Sequence, residues 1–141
     1  MKLIAAMLIL ICVNAQSQSL TRVEHTLRNG TATEIARMLS IPCSKKKSIS
    51  KVKELIYLLN KPGKPTKVKG SVNSHDVLIL MLSRVTDIPV LDKEKAPVKA
   101  IISFQNKDGK VFRYHIIKVT NKEKRDFTNK VKMWLQDKSR A

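Results

Sequence analysis

Two runs rich in valine, isoleucine and aromatic residues, Val98 to Phe104 and Val111 to Val119, flank the segment Asn106-Lys-Asp-Gly-Lys110. Branched and ring side chains suit the pleated surface of a strand, and Asp-Gly is a strong signal for a tight reversal. A β-hairpin is therefore expected. Strand alternation puts Val98, Ala100, Ile102 and Phe104 on one face, joined by Phe112, Tyr114 and Ile116 from the second strand. An isolated hairpin is marginal in water, so a neighbouring element has to cover that face.

The segment that follows supplies a candidate. Thr120-Asn-Lys-Glu123 reads as a capping box, opening a helix in which Phe127, Val131, Trp134 and Leu135 stand at i, i+4, i+7 and i+8. This helix is expected to pack on the hairpin and bury the single tryptophan. Its outer face is basic, with Lys122, Lys124, Arg125, Lys130, Lys132 and Lys138.

Upstream of the hairpin the pattern is helical. Leu20, Val23 and Leu27 fall at helical spacing until Asn29-Gly30 breaks the run. Thr31-Ala-Thr-Glu34 is a second capping box, and Ala32, Ile35, Ala36 and Leu39 line one face up to Pro42. Ser48 is placed to cap a third helix with the stripe Ile49, Val52, Leu55, Ile56 and Leu59, terminated by Pro62-Gly63. The unbroken run Val77 to Leu82 suits a buried strand or a central helix, since periodicity does not separate the two. Its leucine and methionine content, with Asn73 or Ser74 as a cap, favours the helix, and Thr86 to Pro97 is a connection. The expected fold class is α+β: short N-terminal helices and a basic third helix, then a β-hairpin packed by a C-terminal amphipathic helix.

The chain opens MKLIAAMLILICVNAQSQS. Lys2, the apolar run Leu3 to Val13 and the small residues of Val13-Asn14-Ala15 have the layout of a secretory signal peptide over residues 1–15. The apolar run of 11 residues is short of the roughly 20 that a spanning helix needs. The mature product is then expected to be one small basic domain, 16–141, exported from the cell and without a transmembrane segment. Cys12 leaves with the signal, so Cys43 has no internal partner. Three states stay open for it: a buried thiol, an intermolecular bridge giving a homodimer, or a mixed disulfide with a small thiol. Asn29-Gly30-Thr31 is an N-glycosylation sequon at the turn between two helices.

Charge is the dominant global property. The full chain carries +17, a balance that draws polyanions in quickly and holds them through counterion release. Its densest part is Ile41 to Gly70, where Lys45, Lys46, Lys47, Lys51, Lys53, Lys61, Lys64, Lys67 and Lys69 face Glu54 as the one acid. An amphipathic helix needs a polar face in any case, but such faces usually mix signs through i,i+4 pairs. The lack of acids points to an anion-binding surface. Around Pro62 and Pro65 the loop lysines are expected to lie spread along an extended run, which suits a linear polymer. Lysine is a point charge without a bidentate fork, so affinity is expected with little discrimination among patterns.

The stretch Leu20 to Leu39, "LTRVEHTLRNGTATEIARML", with the basic helix bearing Tyr57 and the loop around Gly63, resembles a winged-helix nucleic-acid-binding domain, including the kind that binds left-handed duplexes. The resemblance spans residues 19–82 and implies nucleic acid as a partner. The family has an asparagine roughly where this chain has Lys53.

Signals for catalysis are sparse. His25, His75 and His115 are not at metal-ligand spacing, and no second mature cysteine completes a zinc site. His75-Asp76 is expected on a loop, and Cys43 with a histidine could in principle make a nucleophile and base. No cofactor is implied, and the chain reads as a non-enzyme. The functional expectation is a secreted protein that binds acidic polymers or anionic surfaces, such as glycosaminoglycan or extracellular matrix, through its lysine patches. Three alternatives stand beside it: a membrane-active defence protein acting through the last helix, a signalling or inhibitory protein retained by charge, and the winged-helix reading.

Overall fold

The computed structural model describes residues 22–44, 47–90 and 97–140. The expected signal segment, Cys12, Leu20, Lys45 and Lys46 lie outside these residues. Five helices and one hairpin follow in order: α1 (22–29 in its described part), α2 (Ala32–Ser40), α3 (Ser48–Leu59), α4 (Ser74–Thr86), β1 (Val98–Gln105), β2 (Val111–Ile117) and α5 (Asn121–Arg140). The α+β class and the order of elements agree with the sequence pattern.

Three helices start in the same way. Thr31 Oγ1 accepts from the Glu34 amide at 3.2 Å while Glu34 Oε1 accepts from the Thr31 amide at 3.4 Å. Thr120 and Glu123 repeat this reciprocal pair at 3.2 and 3.1 Å. For α4 the cap is Asn73, whose amide donates to Asp76 Oδ2 at 2.8 Å and whose Oδ1 accepts from the His75 amide at 2.9 Å. Each box satisfies amide groups that a helix start otherwise leaves without partners. The start of α3 differs from expectation. Lys47, not Ser48, is its N-cap and makes no side-chain capping bond.

A single apolar cluster draws on all the elements. Val23 and Leu27 of α1, Ile35 and Leu39 of α2, and Val52, Leu55 and Leu58 of α3 are buried in it. Helix α4 is the centre, burying Val77, Leu78, Ile79, Met81 and Leu82. Burial that nearly surrounds the helix explains why its sequence shows a continuous apolar run rather than a stripe. Each such side chain contributes about 1.5–3 kcal/mol relative to exposure.

The hairpin is antiparallel, pairing Ile102 with Tyr114 and Phe104 with Phe112. Ile102, Tyr114 and Ile116 enter the core, as alternation requires. Val98 does not: a register shift between Val98 and Ala100 takes it off the apolar face, and it is 49% exposed. The reversal relies on Asn106 as much as on Asp108-Gly109. Asn106 Oδ1 accepts from the amides of Asp108 and Lys110 at 3.0 and 2.8 Å, and Gly109 takes φ +83.

Packing partners also differ from expectation. The main neighbour of the hairpin is α2, whereas α5 lies chiefly against α3 and α4. Only Phe127 and Val131 of α5 are fully buried, and Trp134 is half-buried. Helices α2 and α4 flank the sheet, and α5 covers part of α3 and α4 instead.

Candidate basic binding surface

The segment between α3 and α4 is a fastened loop. Lys64 and Ser74 exchange two hydrogen bonds, the Lys64 amide to Ser74 Oγ at 2.9 Å and the Ser74 amide to the Lys64 carbonyl at 2.8 Å. The Val72 carbonyl accepts from both the amide and the hydroxyl of Thr66, at 3.0 and 2.8 Å. Val68 and Val72 drop into the core between these ties. The chain reverses at Gly70 and Ser71, which take φ +107 and +58. A β-carbon on Gly70 would stand 2.5 Å from the Lys99 carbonyl oxygen, so the close approach to β1 as well as the backbone angle calls for glycine.

This geometry corrects the expectation of an extended, proline-spread run. The loop doubles back because two valines bury and two positive-φ residues turn it. The outcome for the charges is that Lys64, Lys67 and Lys69 all stay exposed while Val68, between two of them, is buried. None of the three has a carboxylate within 4 Å among the described residues.

The other predicted cations divide by environment. Lys47 and Lys53 are exposed. Lys51 is partly covered and stands 4.0 Å from Glu54. Lys61 is committed to Glu24 of α1 at 3.1 Å, and its ammonium lies 5.0 Å from the Tyr57 ring centre. On α5, Lys122, Arg125, Lys130, Lys132 and Lys138 face solvent, but Lys124 turns inward. Its Nζ is 3.0 Å from His75 Nδ1.

His75 was expected on a loop; it occupies the first turn of α4, directly after the Asn73 cap. Its Nε2 is 2.7 Å from the Lys61 carbonyl, an acceptor only, so Nε2 carries the proton and Nδ1 accepts from Lys124. Both ring nitrogens are thereby occupied, which leaves neither to act as a base toward Cys43. The neighbouring Asp76 accepts from the Asn73 amide and pairs with Lys99 Nζ at 3.0 Å. The sequence contained no signal for the contact between His75 and Lys124, because it joins residues 49 positions apart.

Several acids are spent inside the structure. Glu34, Asp76 and Glu123 close the three capping boxes, and Glu24 and Glu54 pair with lysines. Among the described residues, no carboxylate pairs with Lys64, Lys67 or Lys69.

Cys43 is exposed, with Sγ 3.7 Å from the Ser44 carbonyl. Asn29 is exposed at the end of α1, its Nδ2 3.3 Å from His25 Nδ1. His115 lies exposed on the outer face of β2. Among the described residues no three His, Cys, Asp or Glu side chains gather in a way that could hold a metal ion. No helix of the described residues is long and apolar enough to cross a membrane.

No protein-family model matches this chain, and no curated protein or solved structure matches it either. The segment that resembles a winged-helix domain is helical through α1, α2 and α3. Its loop around Gly63 holds one isolated bridge, between Pro65 and Asn73, and α4 is buried along most of its length. What the fold and surface define is a small, strongly basic α+β domain.

Proposed function

We propose that the protein is a secreted, non-enzymatic binder of acidic polymers or anionic surfaces, of the glycosaminoglycan or extracellular-matrix kind. The observation that carries this reading is the fastened loop. Its two valines are buried while Lys64, Lys67 and Lys69 are exposed, with no carboxylate within 4 Å of these lysines among the described residues. Fixing the backbone that bears the charges lowers the ordering cost of meeting a polymer. Lys47 and Lys53 extend the positive field along α3, and Lys122, Arg125, Lys130 and Lys132 form the second basic face. In this reading Asn29 carries a glycan and Cys43 is the group through which two copies would be bridged.

Retention on immobilised heparin over a salt gradient tests it. The mature protein is expected to elute late, and a variant with Lys45, Lys46, Lys47, Lys64, Lys67 and Lys69 changed to glutamine is expected to elute early. Co-elution of the two would contradict the reading.

One observation favours the membrane-active alternative. Met133 is 63% exposed beside half-buried Trp134, amid Lys130, Lys132 and Lys138. This is an apolar and aromatic edge within a basic helix face. Leakage from anionic vesicles that is lost in Met133→Gln would support that alternative over the polymer reading.

A further inference from the structure

We infer that the loop 61–70 and the first turn of α5 form one continuous track for a single sulfated polysaccharide chain, joined at His75. This deepens the proposed polymer-binding role and rests on it. The sequence presents the two basic regions as separate, about fifty residues apart. Two hydrogen bonds bring them together: His75 Nε2 donates to the Lys61 carbonyl at 2.7 Å, and Lys124 donates to His75 Nδ1 at 3.0 Å. Lys64 is tied to Ser74, the residue before His75, by two further bonds. The start of the loop and the first turn of α5 therefore rest on the same turn of α4.

The cations at this junction differ in availability. Lys61 and Lys124 are engaged, with Glu24 and His75 respectively. Lys64, Lys67 and Lys69 on one side, and Lys122 and Arg125 on the other, are exposed. Of the acids close by, Glu24 pairs with Lys61, Asp76 with Lys99, and Glu123 serves the α5 cap. Asp126, one residue beyond Arg125, is an exposed acid among the described residues of α5.

Two features select a sulfated polysaccharide over a nucleic acid. Binding of single strands depends on aromatic platforms on which bases stack. The exposed aromatic near this track, Tyr57, already has the Lys61 ammonium 5.0 Å from its ring centre. Reading a duplex favours the bidentate fork of arginine, and the exposed cations of this track are Lys64, Lys67, Lys69 and Lys122 with Arg125 as the one arginine among them. What remains is an array of charges dominated by lysine, which suits sulfates repeated along a flexible chain.

Calorimetric titration with a heparin tetrasaccharide and with a heparin chain several times longer separates the outcomes. The proteins compared are the wild type, a loop variant (K64Q/K67Q/K69Q) and a helix variant (K122Q/R125Q), each checked for an unchanged melting temperature. On one track the long chain binds one per protein, and lengthening raises affinity by roughly 100-fold or more because the second contact becomes intramolecular. That gain should collapse in both variants, and each variant should reduce the salt slope by roughly one per cation removed. Two long chains per protein, or a helix variant with the wild-type gain, would overturn the single track while leaving polymer binding intact. Absence of heparin binding by the wild type would overturn the proposed function itself. A DNA strand of equal charge that binds more tightly than heparin at the same salt would overturn the choice of polysaccharide.

Discussion

Helices α4 and α5 open with similar capping boxes and touch one another, yet they serve different purposes in the fold. The 13 residues of α4 include six that are buried, whereas the 20 residues of α5 include two, Phe127 and Val131. One helix is spent almost entirely on the core. The other spends one narrow edge on it and gives the rest of its surface to solvent and charge. The contrast teaches that capping sets where a helix begins, and the arrangement of apolar residues decides what it is for. Changes in α4 should register as stability, and changes on the outer face of α5 as binding.

The largest effect is expected where α5 touches the core. Phe127→Ala removes a side chain that is 2% exposed and should cost about 3–5 kcal/mol in denaturant unfolding. Leu82→Ala in α4, at 0% exposure, should cost about 2–5 kcal/mol. The same truncation at Met133 of α5, 63% exposed, should stay within about 0.5 kcal/mol. A large loss at Met133 would break the comparison.

Next in size is the turn that aims the loop lysines. Gly70→Ala combines a positive φ with the contact to the Lys99 carbonyl, and should destabilise by at least about 1 kcal/mol. Heparin elution of that variant should also shift earlier, since the lysines at 67 and 69 lose their fixed placement. The caps come after it. Asn73→Ala and Thr120→Ala should each cost about 0.5–2 kcal/mol, seen in thermal melts. Asn73→Ala is expected to be the more damaging of the two because its cap serves the central helix. The smallest stability effect belongs to Lys130→Gln with Lys132→Gln, within about 0.5 kcal/mol, accompanied by a smaller change in heparin retention than the loop variant shows.

Much of the fold was legible because its signals are local. The boxes at Thr31 and Thr120, the hairpin around Asp108-Gly109 and the stripe Phe127, Val131 each sit within a few residues and have one physical reading. The run Val77 to Leu82 is ambiguous by periodicity; its composition and Asn73 only favour the helix, and the structure decides it as α4. What escaped depends on distant contacts. The doubling of the loop is driven by burial of Val68 and Val72, and nothing in the polar, lysine-rich stretch around them announces which residues will find the core. The position of α5 against α3 and α4, with α2 as the main neighbour of the hairpin, is likewise a matter of distant contacts. The meeting of Lys124 with His75 belongs to the same group, so the two basic faces could be identified in sequence but not joined.

The loop and the start of α5 are proposed as the working surface. A heparin oligosaccharide titrated into isotopically labelled protein, followed by amide chemical shifts, tests it most directly. Shifts are expected to concentrate at residues 61–70 and 121–126, with little movement at Ile101 and Val111 on the exposed hairpin face. Shifts centred on the hairpin, or spread evenly over all exposed lysines, would contradict it.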